Sequence, residues 1–199
     1  MNADNRELTL PDILAPGLTI VFVGINPGLL SAQRGRYFAR RSNRFWPALS
    51  RSVLSLPIRE ALGREELGPE DDGQLLRFGI GFTDVVKRAT RNAGELQAEE
   101  FSAGASLLLS KLRRFRPLVA CFHGVTGFRP FARVALGLDG RTLQLGPQSS
   151  SLDGTRLYVV PSPSPANAHV RLSDQIQWYD RLAAYCESLH AAGHAASDG

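Results

Sequence analysis

The chain has 199 residues, 43% hydrophobic and 21% charged, with a formal net charge of +4; this suits one domain with a sizeable core and points to an anionic partner. No apolar stretch approaches the ~20 residues a membrane span requires, and Met1–Glu7 lacks the apolar core of a secretion signal. Only two cysteines, Cys121 and Cys186, and four histidines are present, so the expectation is a cytoplasmic protein with reduced core cysteines, no disulfide, no metal site and no cofactor.

Residues 1–10 read as a frayed tail. Leu18–Val23 is apolar and rich in β-branched residues, the pattern of a buried parallel strand. It runs into Gly24-Ile25-Asn26-Pro27-Gly28-Leu29. Gly24 and Gly28 permit a tight turn and close backbone approach, while Pro27 fixes its own φ and holds Asn26 extended. The carboxyl end of a strand is where open α/β sheets place their ligand crevice. The turn therefore aims one amide side chain and several backbone N–H groups into a pocket. The next segment, Gly35–Trp46, carries Phe38 and the run Asn43-Arg44-Phe45-Trp46. Arg34, Arg36, Arg40, Arg41 and Arg44 crowd around it, all with the planar fork that chelates phosphate.

Asn43 is expected to cap a helix through about Leu56, with Pro47 tolerated in its first turn. The acidic, Gly- and Pro-containing stretch Gly63–Gly73 reads as a surface loop. A short strand, Gly79–Thr83, precedes Asp84; its Gly79-Ile80-Gly81 lacks the third glycine of a dinucleotide fingerprint. Glu99–Phe115 sets Phe101, Ala105, Leu108, Leu112 and Phe115 on one helical face, and Pro117 ends it. Leu118–Phe122 and Leu157–Val160 are the remaining strands, the former followed by His123, read as a satisfied loop histidine. Three prolines stiffen Pro161–Asn167. Ser173 caps a last helix carrying Ile176, Tyr179, Leu182, Ala183, Cys186 and Leu189, and 191–199 form a second tail. Strands alternating with helices predict an α/β fold over residues 11–190: a single-domain three-layer α/β/α sandwich around a mainly parallel sheet of about four to five strands.

Gly24–Leu29 followed at this separation by Asn43-Arg44-Phe45-Trp46 resembles the mismatch-specific uracil/thymine DNA glycosylases of the uracil-DNA glycosylase superfamily. Asp12–Gly17, Gly79–Thr83 and Pro161–Asn167 are similar in the same order, so the likeness spans roughly residues 11 to 185. It implies a monomeric repair enzyme on double-stranded DNA with a G·U or related mismatch. Such an enzyme flips the uracil out, hydrolyses its N-glycosidic bond with water and starts base excision repair. The cysteine count excludes the four-cysteine iron–sulfur cluster of some relatives.

By this resemblance Asn26 positions the attacking water; an amide orients water but scarcely deprotonates it. Phe38 stacks on the flipped base, and Gly24, Ile25, Pro27 and Gly28 complete the pocket. Backbone N–H groups near Ile25 and Phe38 face the pyrimidine carbonyls, where charge develops on the leaving base. Pro161–Asn167 takes the place of the intercalating loop. Relatives carry a large side chain there, whereas this chain has Ala166, which leaves the wedge to Asn167, His169 or the weakness of the mispair. Ser162, Ser164 and Asn167, like Arg40 and Arg41, are assigned to DNA phosphates.

Asp84 departs from the pattern, since relatives carry an amide or a lysine. A carboxylate there can activate water, stabilise an oxocarbenium ion, or cap the next turn. Lys87 is expected in solvent, so no Schiff-base lyase step is implied. Two other readings stand beside this one. The first is a uracil glycosylase acting broadly on single and double strands; the second is a non-catalytic binder of damaged DNA or nucleotides using the same pocket.

Overall fold

Strand β1 (Ile20–Gly24) is buried along its whole length. Alternate side chains, Ile20 and Phe22 against Val21 and Val23, enter two separate apolar clusters. A strand buried on both faces needs parallel neighbours, and β1 has two: β2 (Ile80–Asp84) and β3 (Val119–His123). Beyond β3 lie β5 (Thr155–Val160), also parallel, and an antiparallel edge strand β4 (Gly146–Leu152), giving the order β2-β1-β3-β5-β4. The computed structural model describes residues 8–138 and 143–197. Helices α1 (Leu29–Arg34), α2 (Phe45–Arg51), α3 (Leu56–Leu62), α4 (Ala98–Phe115), α5 (Val125–Leu136) and α6 (Leu172–Ser197) complete it. Phe45, Trp46, Tyr179 and Leu182 from α2 and α6 pack on one sheet face, and Leu108, Leu112, Phe128 and Phe131 from α4 and α5 on the other. The expected α/β/α layering is the one observed.

The four expected strands are present, each shifted by one or two residues. The expected helix from Asn43 to Leu56 is broken. Asn43 Oδ1 does accept the Phe45 N–H at 2.9 Å, but α2 stops at Arg51 and a 3-10 turn, Val53–Ser55, leads into α3. The hydroxyls of Ser50, Ser52 and Ser55 each donate to a nearby backbone carbonyl, which competes with helical continuation.

Three further expectations are corrected. The acidic stretch is no solvated loop throughout: Pro69–Phe78 is a 3-10 helix in which Asp71 and Asp72 are buried. Each is held by an arginine, Arg64 on Asp71 and Arg36 on Asp72. Of the expected tail 1–10, residues 1–7 lie outside the described residues; Leu10 is 2% exposed in the core and Thr9 bridges to Arg88. At the other end, where a tail was expected over 191–199, α6 extends to Ser197, and residues 198–199 lie outside the described residues. Cys121 and Cys186 are free and buried, as expected. No described helix is long and apolar enough to cross a membrane.

Candidate active site

The carboxyl ends of β1, β2 and β3, with the loop after β5, surround a cavity of about 190 Å³. That is below the ~300–1,000 Å³ of sites for drug-sized ligands and matches one planar heterocycle. Its wall contains Gly24, Ile25, Asn26, Pro27, Gly28, Phe38, Arg40, Asp84, Ser162 and Ser164. Segments far apart in sequence thus meet around one hole. Arg41, Ala166 and Asn167 lie outside the wall.

Asn26 is fixed by its nitrogen. Nδ2 donates to Arg88 O at 2.9 Å and to Thr90 Oγ1 at 2.7 Å, while the Thr90 hydroxyl itself donates to Asn92 O. A carbonyl only accepts, so Arg88 O dictates which way the amide faces. Oδ1 is left as an acceptor without a protein donor among the described residues, on a side chain that lines the cavity.

Phe38 adopts a left-handed backbone, φ 53°, uncommon for a bulky residue and sustained only by its surroundings. The supports are identifiable. The Trp46 indole donates to Tyr37 O at 2.9 Å, buried Asp72 accepts the Tyr37 N–H at 3.0 Å, and Ser31 Oγ accepts the Ala39 N–H at 3.1 Å. The Phe38 ring stacks on Phe45, centroids 4.1 Å apart and planes 18° from parallel. The Asn43-Arg44-Phe45-Trp46 run therefore belongs to the pocket mechanically: it leads into α2, holds the Phe38 turn and backs its ring. Neither the Phe38 nor the Ile25 N–H donates to a protein acceptor among the described residues.

Asp84 ends β2 beside Gly24, its partner in register. A Cβ on Gly24 would lie 2.5 Å from Asp84 Oδ1, so the glycine leaves the space the carboxylate occupies. Asp84 is 4% exposed. Burial pushes its pKa up to about 6, against the opposing pull of Lys87. Lys87 is not the solvent-exposed residue expected. Its ammonium lies 3.3 Å from Asp84 Oδ2 and 2.8 Å from Asp12 Oδ1, and donates to Tyr37 Oη at 3.3 Å. Lys111 meets the other oxygen of Asp12 at 2.5 Å. Despite its burial, Asp12 is held below the usual carboxylate range by hydrogen bonds from Lys111, Lys87 and Thr83 and by the Lys87 charge. A chain of alternating charge, Lys111–Asp12–Lys87–Asp84, thus ends in the cavity. Sequence reasoning missed it; Lys87 three residues after Asp84, on the turn that leaves the strand, was the available signal.

The loop Pro161–Asn167 is clamped from below. Arg44 Nη2 donates to Ser164 O at 2.6 Å and Asn167 O at 2.7 Å, and the Arg44 N–H donates to Pro163 O at 3.0 Å. The Asn167 amide donates to Ser162 O at 3.3 Å, which spends the group offered as a wedge. Ser162 and Ser164 hydroxyls each accept a loop N–H, leaving their own hydrogens for an incoming acceptor. The arginine cluster divides accordingly: Arg36 holds Asp72 and Arg44 holds the loop. Arg34, Arg40 and Arg41 are exposed, without a carboxylate partner among the described residues.

His123 is a buried pocket-wall residue rather than a loop histidine. It is the last residue of β3, 3% exposed, and its Nε2 lies 3.0 Å from Tyr179 Oη. Among the described residues no three His, Cys, Asp or Glu side chains are grouped to hold a metal ion.

A sequence model of the uracil DNA glycosylase superfamily matches residues 11–183, and the chain belongs to that superfamily. Its members are DNA glycosylases, hydrolases of N-glycosyl bonds.

Proposed function

We propose that this member of the superfamily is a monofunctional, mismatch-directed uracil DNA glycosylase. It flips a uracil, or a related damaged pyrimidine, from a G·U or similar mispair and hydrolyses its glycosidic bond with water, without a cofactor. The observation that carries this reading is the fixed amide of Asn26, which offers Oδ1 to a base-sized cavity that Phe38 also lines.

The C1′–N1 bond breaks with its electron pair going to the base, leaving an oxocarbenium sugar. Water held on Asn26 Oδ1 attacks C1′. Asp84, ionised above pH 6, stabilises the cation and takes the proton that water loses. The unspent N–H groups of Ile25 and Phe38 are fixed donors for charge appearing on the base carbonyls. A half-buried amide alone gives no proton acceptor, which is why a carboxylate at Asp84 matters. Arg40, Arg41 and the Ser162 and Ser164 hydroxyls follow the phosphates.

Exposed Ala166 in the loop favours one second reading, broad action on uracil in single as well as double strands, because a methyl group cannot fill a vacated stack. Both readings are tested by incubating the protein, in EDTA, with duplexes and single strands containing uracil, thymine opposite guanine, ethenocytosine or hypoxanthine, and measuring free base. Uracil release fastest from G·U supports the proposal. Binding without release identifies a non-catalytic binder.

A further inference from the structure

We propose that His123 reads the extruded base, donating a hydrogen bond from Nδ1 to one of its carbonyl oxygens; this rests on the glycosylase reading above. Three observations converge. His123 lines the cavity, two residues beyond Cys121, the register partner of Phe22, and so on the same sheet face as Gly24 and Asp84. Its Nδ1 is buried and has no hydrogen-bond partner among the described residues, whereas the great majority of buried polar atoms have one. The ring is held rigidly: it stacks on Phe22, centroids 5.3 Å apart, and meets Phe38 edge to face at 5.2 Å.

The proton on Nδ1 follows from Nε2. Nε2 faces the Tyr179 hydroxyl at 3.0 Å. Burial raises the Tyr179 pKa well above its ordinary value, so the phenol keeps its proton, and burial lowers His123 to about 3, so the imidazole is neutral. A phenol is a better donor than acceptor, and the bare nitrogen of a neutral imidazole is its natural acceptor. Tyr179 therefore donates to Nε2, and the hydrogen of the imidazole resides on Nδ1. A neutral donor suits a carbonyl that gains charge as the base departs, and it needs no change of protonation state between pH 5 and 9.

The test uses G·U duplexes and their counterparts with 2-thiouracil or 4-thiouracil, sulfur being a weak acceptor. The expected result is that the parental protein prefers uracil over one of the two analogues. In His123→Gln that preference falls to about one, while uracil release slows by roughly 10²-fold, the loss seen when one fixed donor is removed. His123→Asn, whose amide nitrogen takes the Nδ1 place, is expected to keep the preference. A parental protein indifferent to both analogues, or a His123→Gln protein with parental rate and preference, overturns the assignment. A measurement on the unmodified protein covers the case in which the variants misfold. The His123 Nδ1–H resonance is expected to move downfield when a G·U duplex with a non-cleavable 2′-fluoro uridine analogue binds; an unchanged resonance overturns the proposal. If the parental protein releases no uracil at all, the glycosylase reading falls first and this one with it.

Discussion

The Asp84 carboxylate occupies the space that Gly24 leaves by having no side chain: a Cβ on Gly24 would approach Asp84 Oδ1 to 2.5 Å. The two residues are register partners at the carboxyl edge of the sheet, so neither strand can slip to relieve the contact. Gly24→Ala is therefore predicted to destabilise the protein by about 1–3 kcal/mol, as overpacking does, and to displace the carboxylate. Misplacement of a catalytic group costs up to ~10²-fold. Urea midpoints and single-turnover rates measure the two effects separately. A destabilised variant with the parental rate would show that the position of the carboxylate is not used.

If Asp84 acts as proposed, stability and activity run in opposite directions with pH. Its native pKa is raised from 3.8 to about 6, so between these values the native state binds more protons than the unfolded chain. Stability contributed by this group is thus lost as pH rises from about 4 to about 6, and the loss is complete above that. Asp84→Asn removes the dependence and is predicted to gain stability relative to the parent above pH 6. In the proposed mechanism cleavage needs the ionised form, so the parental single-turnover rate should climb through about pH 6 while the variant lacks that limb. Parallel pH profiles for the two proteins would remove the carboxylate from the chemistry.

Lys87 is the cation nearest Asp84, and it also holds Asp12. Lys87→Met removes the main attraction that favours the charged carboxylate and leaves burial opposed only by the Tyr37 hydroxyl. The ascending limb of the rate profile is predicted to move to higher pH, with activity recovered in alkaline buffer. A uniform loss of rate at every pH would instead mean that Lys87 serves folding alone.

Much of this was legible in the chain because it rests on local patterns. Ile20–Gly24 and Val119–His123 are apolar throughout, and a strand buried on both faces must be. Strand β4 was missed because Gly146-Pro-Gln-Ser-Ser-Ser-Leu is polar, with a proline that only an edge tolerates. Its signal was the Asp153-Gly154 pair, both at positive φ, a hairpin turn between β4 and β5. Helix α5 was hidden by Gly127 and Pro130 within it. In the site, the family resemblance of their motifs named Asn26 and Phe38, which the fold brings to one cavity wall, but the partners of charged groups were not named. Arg36 on Asp72 and Arg44 on the Pro161–Asn167 loop are contacts across the fold of which the sequence carries no record, whereas Lys87 lies three residues from Asp84 and left a local signal.

The arginines divide into two predicted phenotypes. Arg40 and Arg41 are exposed beside the cavity. Changing both to Gln should weaken matched and mismatched duplexes alike and flatten the salt dependence by about 0.9 in slope for each lost phosphate contact. Arg44→Gln removes the clamp on Ser164 O and Asn167 O. It should leave the salt slope nearly intact and lower the rate at saturating DNA. Filter binding across a salt series, paired with single-turnover rates, separates them; a reversed pattern would show the roles to be exchanged.

Free uracil released from a G·U duplex in one turnover, in EDTA at pH 8, is the most direct measurement of whether the Asn26–Asp84 cavity hydrolyses the glycosidic bond. The unmodified protein should yield free base and an abasic strand. Asn26→Ala should lose the oriented water and slow sharply, and Asp84→Asn should slow by ~10²–10⁴-fold, the usual worth of general-base help. No free uracil from the unmodified protein, or parental rates from both variants, would contradict the account.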